Sequence, residues 1–98
     1  MISRQKIEKI REICQSQPIE FLGLFGSMAR QEQTKTSDVD LLIRYQNTSH
    51  PSISDHVRIE DQLENALKRN VDLVTEKSLN ERLKPYVYKD LITIYGKR

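Results

Sequence analysis

Apolar residues in this chain fall into two kinds of pattern, helical stripes and short, nearly unbroken runs. Ile7, Ile10 and Cys14 make one stripe with Ile13 at its edge, so residues 3–16 read as an amphipathic helix. Ser3 is placed to cap that helix, and Ile2 and Ile7 to form a hydrophobic staple. Gln17-Pro18 ends it, because proline restricts the residue before it and cannot continue a helix. Ile19–Phe25 and Val39–Tyr45 are runs of strand length; the first is mostly apolar, as a central strand is, and the poor alternation of the second fits a strand covered on both faces. Between them, Met28–Gln33 has room only for a short helix or turn. Residues 46–54 form a polar loop. From Ser54 or Asp55 a longer helix follows, with His56, Ile59, Leu63, Ala66 and Leu67 on its stripe. Lys68-Arg69 in the last turn suit the helix dipole, and Asn70 is a fitting stop. Val71–Thr75 is a third strand. Ser78 with Glu81 has the spacing of a capping box, Pro85 breaks that helix or starts a new one, and Leu91–Tyr95 returns as an edge strand. The order αβ(α)βαβα(β) predicts an α+β fold, a small mixed sheet packed by helices.

Composition narrows the class. At 98 residues the chain is expected to be one domain spanning 1–98. Sixteen basic and fourteen acidic residues leave a formal charge of +2, scattered rather than clustered, so direct nucleic-acid binding is not expected. A lone cysteine, Cys14, excludes an internal disulfide and fits a reducing compartment. No stretch approaches the ~20 apolar residues of a membrane span. Met1 to Lys6 open a charged helix rather than a signal peptide. A soluble, cytoplasmic protein is the expectation.

Candidate chemistry concentrates between residues 26 and 41. Phe21-Leu22-Gly23-Leu24-Phe25 ends abruptly at Gly26-Ser27, where a strand gives way to a helix start. Backbone N–H groups at such a turn are free to hold an anion, the glycine allows close approach, and the Ser27 hydroxyl adds a donor. Arg30, three residues on, could reach the same anion. Taken alone, Gly26-Ser27 reads more simply as a glycine that ends a strand and a serine that caps a short helix. It is neither a Walker loop nor a Rossmann fingerprint.

Asp38 and Asp40 leave the same face of the second strand, with Cα atoms roughly 6.5–7 Å apart. At that range two carboxylates repel by roughly 2–3 kcal/mol at an effective dielectric of 20. A divalent cation would reverse that sign, and an oxygen-only set suits Mg²⁺. Alternatively, Asp38 is a solvated turn residue and Asp40 a satisfied buried carboxylate. Asp72 interrupts Val71-Leu73-Val74 as Asp40 interrupts Val39-Leu41-Leu42. If a helical crossover makes the two strands parallel neighbours, Asp40 and Asp72 lie about 5 Å apart laterally. Three carboxylates beside a phosphate-binding turn suit metal-assisted nucleotidyl transfer. His50 and His56 are expected to be structural, Cys14 to be core, and Glu60, Asp61 and Glu64 to form a solvated helix face. Tyr86, Tyr88 and Tyr95 fit either an interface or an amphipathic terminal segment.

Gly26-Ser27-x2-Arg30, Ser37-Asp38-x-Asp40-Leu41 and Val71-Asp72-Leu73-Val74 together resemble the minimal nucleotidyltransferases of the DNA polymerase beta superfamily, from about Ile7 to Gly96. The resemblance implies that Gly26 and Ser27 hold the triphosphate of ATP and that Asp38 and Asp40 bind two Mg²⁺ ions. Asp72 would complete the metal site and help activate the attacking hydroxyl, and Arg30 is a weaker transfer to phosphate binding. Short members of this kind are similar to the antitoxin halves of type VII-like toxin–antitoxin pairs whose partner is a HEPN-domain ribonuclease toxin. There AMP is moved from ATP onto a toxin tyrosine. Larger relatives carry a helical domain for the acceptor that this chain has no length to build, so a partner is expected to supply it. The resemblance leaves two alternatives, an aminoglycoside-like small-molecule nucleotidyltransferase and a non-catalytic steric antitoxin.

Overall fold

The computed structural model describes residues 2–32, 34 and 37–98. Its elements are α1 (Arg4–Gln15), β1 (Ile19–Phe25), β2 (Val39–Tyr45), α2 (Ile53–Leu67), β3 (Val71–Thr75), a 3-10 turn (Glu76–Ser78), α3 (Lys84–Asp90) and β4 (Ile92–Gly96). The four strands form one sheet in the order β3-β2-β1-β4. β1 runs antiparallel to β2 and β4, while the α2 crossover makes β2 and β3 parallel, so the sheet is mixed as expected.

The two faces of the sheet are unequal. Ile10 and Cys14 of α1 and Ile59, Leu63 and Leu67 of α2 pack on one face. They meet Leu22, Leu24, Val39, Leu41, Ile43, Val71, Leu73 and Ile94 there. Strand residues of the opposite parity face a smaller cluster in which Phe21 and Leu42 pack against Val87 of α3 and Leu91 just after it. A side chain at Gly23 would strike Leu91 and Phe21, so glycine is what lets this second layer settle onto β1.

Ser3 caps α1 through its hydroxyl, which accepts from the Lys6 N–H at 3.3 Å. The α2 start differs from the sequence expectation. Ser52, not Ser54 or Asp55, is the N-cap, and Asp55 is the third helical residue. The Ser52 hydroxyl accepts from the Asp55 N–H and the Asp55 carboxylate from the Ser52 N–H, a reciprocal box that outcompetes a later start. At the other end the helix stops at Leu67, because Lys68 turns into the left-handed region at φ 57°; the stop is therefore not Asn70. Ser78 and Glu81 form no capping box. Thr75 caps the 3-10 turn, the Asn80 side chain accepts from the Arg82 N–H, and Pro85 sits in the first turn of α3.

Glu60 and Glu64 are not a solvated face. Their carboxylates accept the Leu73 and Val71 N–H groups of β3 at 3.1 and 2.9 Å. His56 is structural: Nε2–H donates to the Leu73 carbonyl at 2.8 Å, leaving Nδ1 to accept from the Tyr45 hydroxyl at 2.9 Å. Cys14 is core, its thiol pushed up to about 12 by burial. No helix among the described residues is long and apolar enough to cross a membrane.

Candidate active site

The parity of β2 and β3 decides where the chemistry lies. Asp40 shares the side of Leu42, and Asp72 the side of Val74, so both leave the sheet on the thinner, α3-bearing face. They are register partners across the parallel β2–β3 ladder. Across the antiparallel ladder Asp40 is paired with Phe25, the last residue of β1, so the Gly26 turn lies beside it. Gly26 has φ 77°, and a Cβ built there would overlap the Asp40 carboxylate. Glycine therefore serves two ends, a left-handed backbone and room for Asp40.

Residues 27–31 form turns rather than a regular helix, with Gln31 at φ 60°. Gln33, the last residue of the expected short element, lies outside the described residues. Arg30 N–H closes onto the Gly26 carbonyl at 3.1 Å and Glu32 N–H onto that of Ser27 at 2.9 Å. The N–H groups of Ser27, Met28 and Ala29 have no partner among the described residues, which leaves three donors at the turn. Asp38 is exposed, one residue ahead of β2. Asp40 is half-buried, and burial raises its carboxyl above the usual range; the charges of Asp72 and Asp38 push the same way, and Arg30 opposes them. The three predicted carboxylates thus form one repelling group, although no three acidic, histidine or cysteine side chains among the described residues are arranged to hold a metal ion as they stand.

Gly26, Arg30 and Asp72 line a groove of about 490 Å³ whose other wall is α3, with Leu83, Tyr86 and Asp90. That size is ordinary for a small-ligand cleft. A larger groove of about 800 Å³ lies at the far ends of β2 and β3, beside His50, His56 and Lys77, and contains none of the predicted site residues.

The family model for polymerase beta nucleotidyltransferases matches residues 8–98. The chain belongs to that family. Among curated polymerase beta relatives, a Methanocaldococcus jannaschii protein provisionally named a protein adenylyltransferase is 38% identical over 74% of this chain and 70% of its own length. The protein adenylyltransferase MntA of Thermococcus cleftensis is 29% identical over 96% of this chain and 98% of its own. A solved structure provisionally described as a minimal nucleotidyltransferase superposes with a TM-score of 0.78 at 32% identity, covering 91% of this chain and 89% of that one. A toxin–antitoxin complex with AMP-PNP gives the same TM-score at 22% identity, covering 94% and 74%, and shares the fold.

Two features of this candidate site escape sequence reading. Arg30 is engaged by Asp90 at 2.8 Å and Glu32 at 3.0 Å, so a phosphate would have to compete for it. Arg69, assigned from sequence to the helix dipole, instead donates to the Ser37 carbonyl at 2.8 Å and reaches that of Thr34, fastening the residue just before Asp38. The Arg30–Asp90 and Arg69–Ser37 contacts join residues 60 and 32 positions apart, which no local periodicity reports.

Proposed function

We propose that this nucleotidyltransferase is a Mg²⁺-dependent protein adenylyltransferase that moves AMP from ATP to a tyrosine of a HEPN-type ribonuclease toxin, as the antitoxin of that pair. The observation that carries the reading is the in-register pair Asp40 and Asp72 beside the Gly26-Ser27 turn. The names of the relatives support it, as does the fold shared with an antitoxin bound to a tri-AMPylated HEPN toxin of Shewanella oneidensis.

By the chemistry of its donors, though not by their present arrangement, the aspartate set fits a divalent cation. Asp40 is crowded by two like charges and burial, and all three side chains offer hard oxygen donors. Asp38, Asp40 and Asp72 would hold the metal, which supplies neutralising charge to the triphosphate and to the phosphorus under attack. The N–H groups of the 27–29 turn and the Ser27 hydroxyl grip the non-transferred phosphates. Asp72, at the open end of the pair, accepts the proton of the acceptor hydroxyl as its oxygen bonds to the α-phosphorus. The bond from that phosphorus to the β-phosphate oxygen breaks, and pyrophosphate leaves in line. Arg30 can follow the departing charge by exchanging Asp90 for it.

Incubation with ATP, Mg²⁺ and the HEPN partner should add one or more AMP units to the partner, which stays inactive after separation. An added phosphate beside a ribonuclease site obstructs RNA by charge and bulk. Mass spectrometry of the separated partner decides, and a partner that is inhibited yet unmodified would point to a steric antitoxin and end this proposal.

A further inference from the structure

The groove that contains Gly26 and Asp72 has two chemically different ends. One end holds Gly26, Arg30 and Asp72, next to the 27–29 turn and to Asp40, the register partner of Asp72. The other is the exposed side of α3 and the residue that precedes it. Val87 and Leu91 anchor this helix in the small core, and the Arg30–Asp90 pair ties its far end to the turn. Leu83 and Tyr86 therefore stand on a fixed support, about one helical turn apart, and face the groove. Leu83 is 53% and Tyr86 71% exposed. Among the described large apolar side chains that are exposed, Ile53, Val57 and Ile92 lie elsewhere and these two alone line this groove. Tyr88 and Tyr95, by contrast, pack against the cores.

The geometry points to Tyr86, backed by Leu83, as the platform on which the base of the bound nucleotide stacks. This rests on the reading of the site as a nucleotide site and adds the subsite for its non-phosphate end. A nucleoside triphosphate is a ligand with a polyanionic end and a flat apolar end, and the groove offers a surface for each. Stacking on a phenol ring is sequence-tolerant because every base has a π-face, so the platform contributes affinity more than choice of base.

The test compares ATP with inorganic tripolyphosphate, which has the anionic end without the base, by calorimetry in Mg²⁺. Tyr86→Ala should raise the Kd for ATP about tenfold, the worth of one stacked base, and leave tripolyphosphate unchanged. Tyr86→Phe, which keeps the ring, should bind ATP as wild type does, and Leu83→Ala should lose a smaller factor. Because Tyr86 is largely exposed, these variants should fold normally, which unchanged tripolyphosphate binding would verify. If Tyr86→Ala binds ATP like wild type while losing the HEPN partner, the ring is a docking contact and the platform is overturned, with the adenylyltransferase reading intact. AMP found on Tyr86 itself would overturn it as well, by making the phenol an acceptor. If the wild-type protein binds neither ATP nor tripolyphosphate, the nucleotide site itself fails, and the platform fails with it.

Discussion

One face of the sheet is thick and the other thin. Against the α1–α2 face, residues from six elements close into a continuous apolar layer. Against the α3 face, Val87 and Leu91 cover Phe21 and Leu42 in a far smaller cluster, and the same face bears Asp40, half-buried, and Asp72, exposed. The contrast separates two tasks that conflict in one place. Stability needs dry, close-packed surface, whereas a polyanion site needs carboxylates and bare N–H groups open to solvent and ligand. Because a strand alternates its side chains, β2 and β3 serve both tasks at once: Val39, Leu41 and Val71, Leu73 point one way, Asp40 and Asp72 the other.

The sharpest test of that division is Asp40→Asn. Transfer of AMP should fall at least ~1,000-fold, about 4 kcal/mol of transition-state stabilisation, with the fold intact by circular dichroism. Full activity would remove Asp40 from the chemistry. On the thick face, Leu63→Ala should cost ~3 kcal/mol in denaturant unfolding, since a wholly buried leucine leaves a cavity between α2 and the sheet. Its kcat, measured where the protein is still folded, should hardly move.

Gly26→Ala sits where the two tasks touch. A methyl at φ 77° is strained and meets the Asp40 carboxylate, so a loss of ~2 kcal/mol in stability together with weaker ATP binding is expected. A variant with wild-type melting temperature and ATP affinity would contradict the packing described for the turn. Cys14 tests the thick face through pH. Its folded pKa of about 12 stands above the ordinary value of 9.0, so between them the folded protein keeps a proton that the unfolded chain loses. Stability contributed by this group is complete below pH 9 and declines by about 1.4 kcal/mol per unit above it. Thermal melts from pH 8 to 10 should show that slope, and Cys14→Ala should flatten it there. Above that range Tyr45, also pushed up to about 12 by burial, adds a loss of the same sign.

The smallest effect has the opposite sign. In chelator at neutral pH, Asp40→Asn should stabilise the protein by ~1 kcal/mol, a shift of a few degrees in Tm. The native carboxylate is penalised by burial and by Asp72 and Asp38, so its folded pKa lies above the unfolded value. The wild-type protein accordingly loses stability as pH rises through that interval, and the asparagine variant does not. A destabilised variant would mean that Asp40 is satisfied structurally in the metal-free state.

Much of this plan was legible in the residues. Apolar runs at Ile19–Phe25, Val39–Tyr45 and Val71–Thr75 mark the strands, and the matching breaks at Asp40 and Asp72 anticipate their register once a helix lies between. What remained hidden depends on tertiary geometry. Ser52 and Ser54 are equally good caps by type, and only the reciprocal bond with Asp55 selects the first. Glu60 and Glu64 have the spacing of a solvated face, and nothing local says that strand amides will lie within reach. The clamp of Arg30 on Asp90 spans sixty residues and follows from where α3 comes to rest.

Those bonds from α2 to β3 also limit how the sheet can grow. β3 is a border strand, and such a strand is ordinarily a template for another chain to pair with. Here the Val71 and Leu73 N–H groups are taken by Glu64 and Glu60, and the Leu73 carbonyl by His56. An incoming strand would have to displace three side chains of one helix to reach those groups. The β3 border is thus partly blunted by its own helix, much as Arg11 occupies the Ile94 carbonyl on the β4 border.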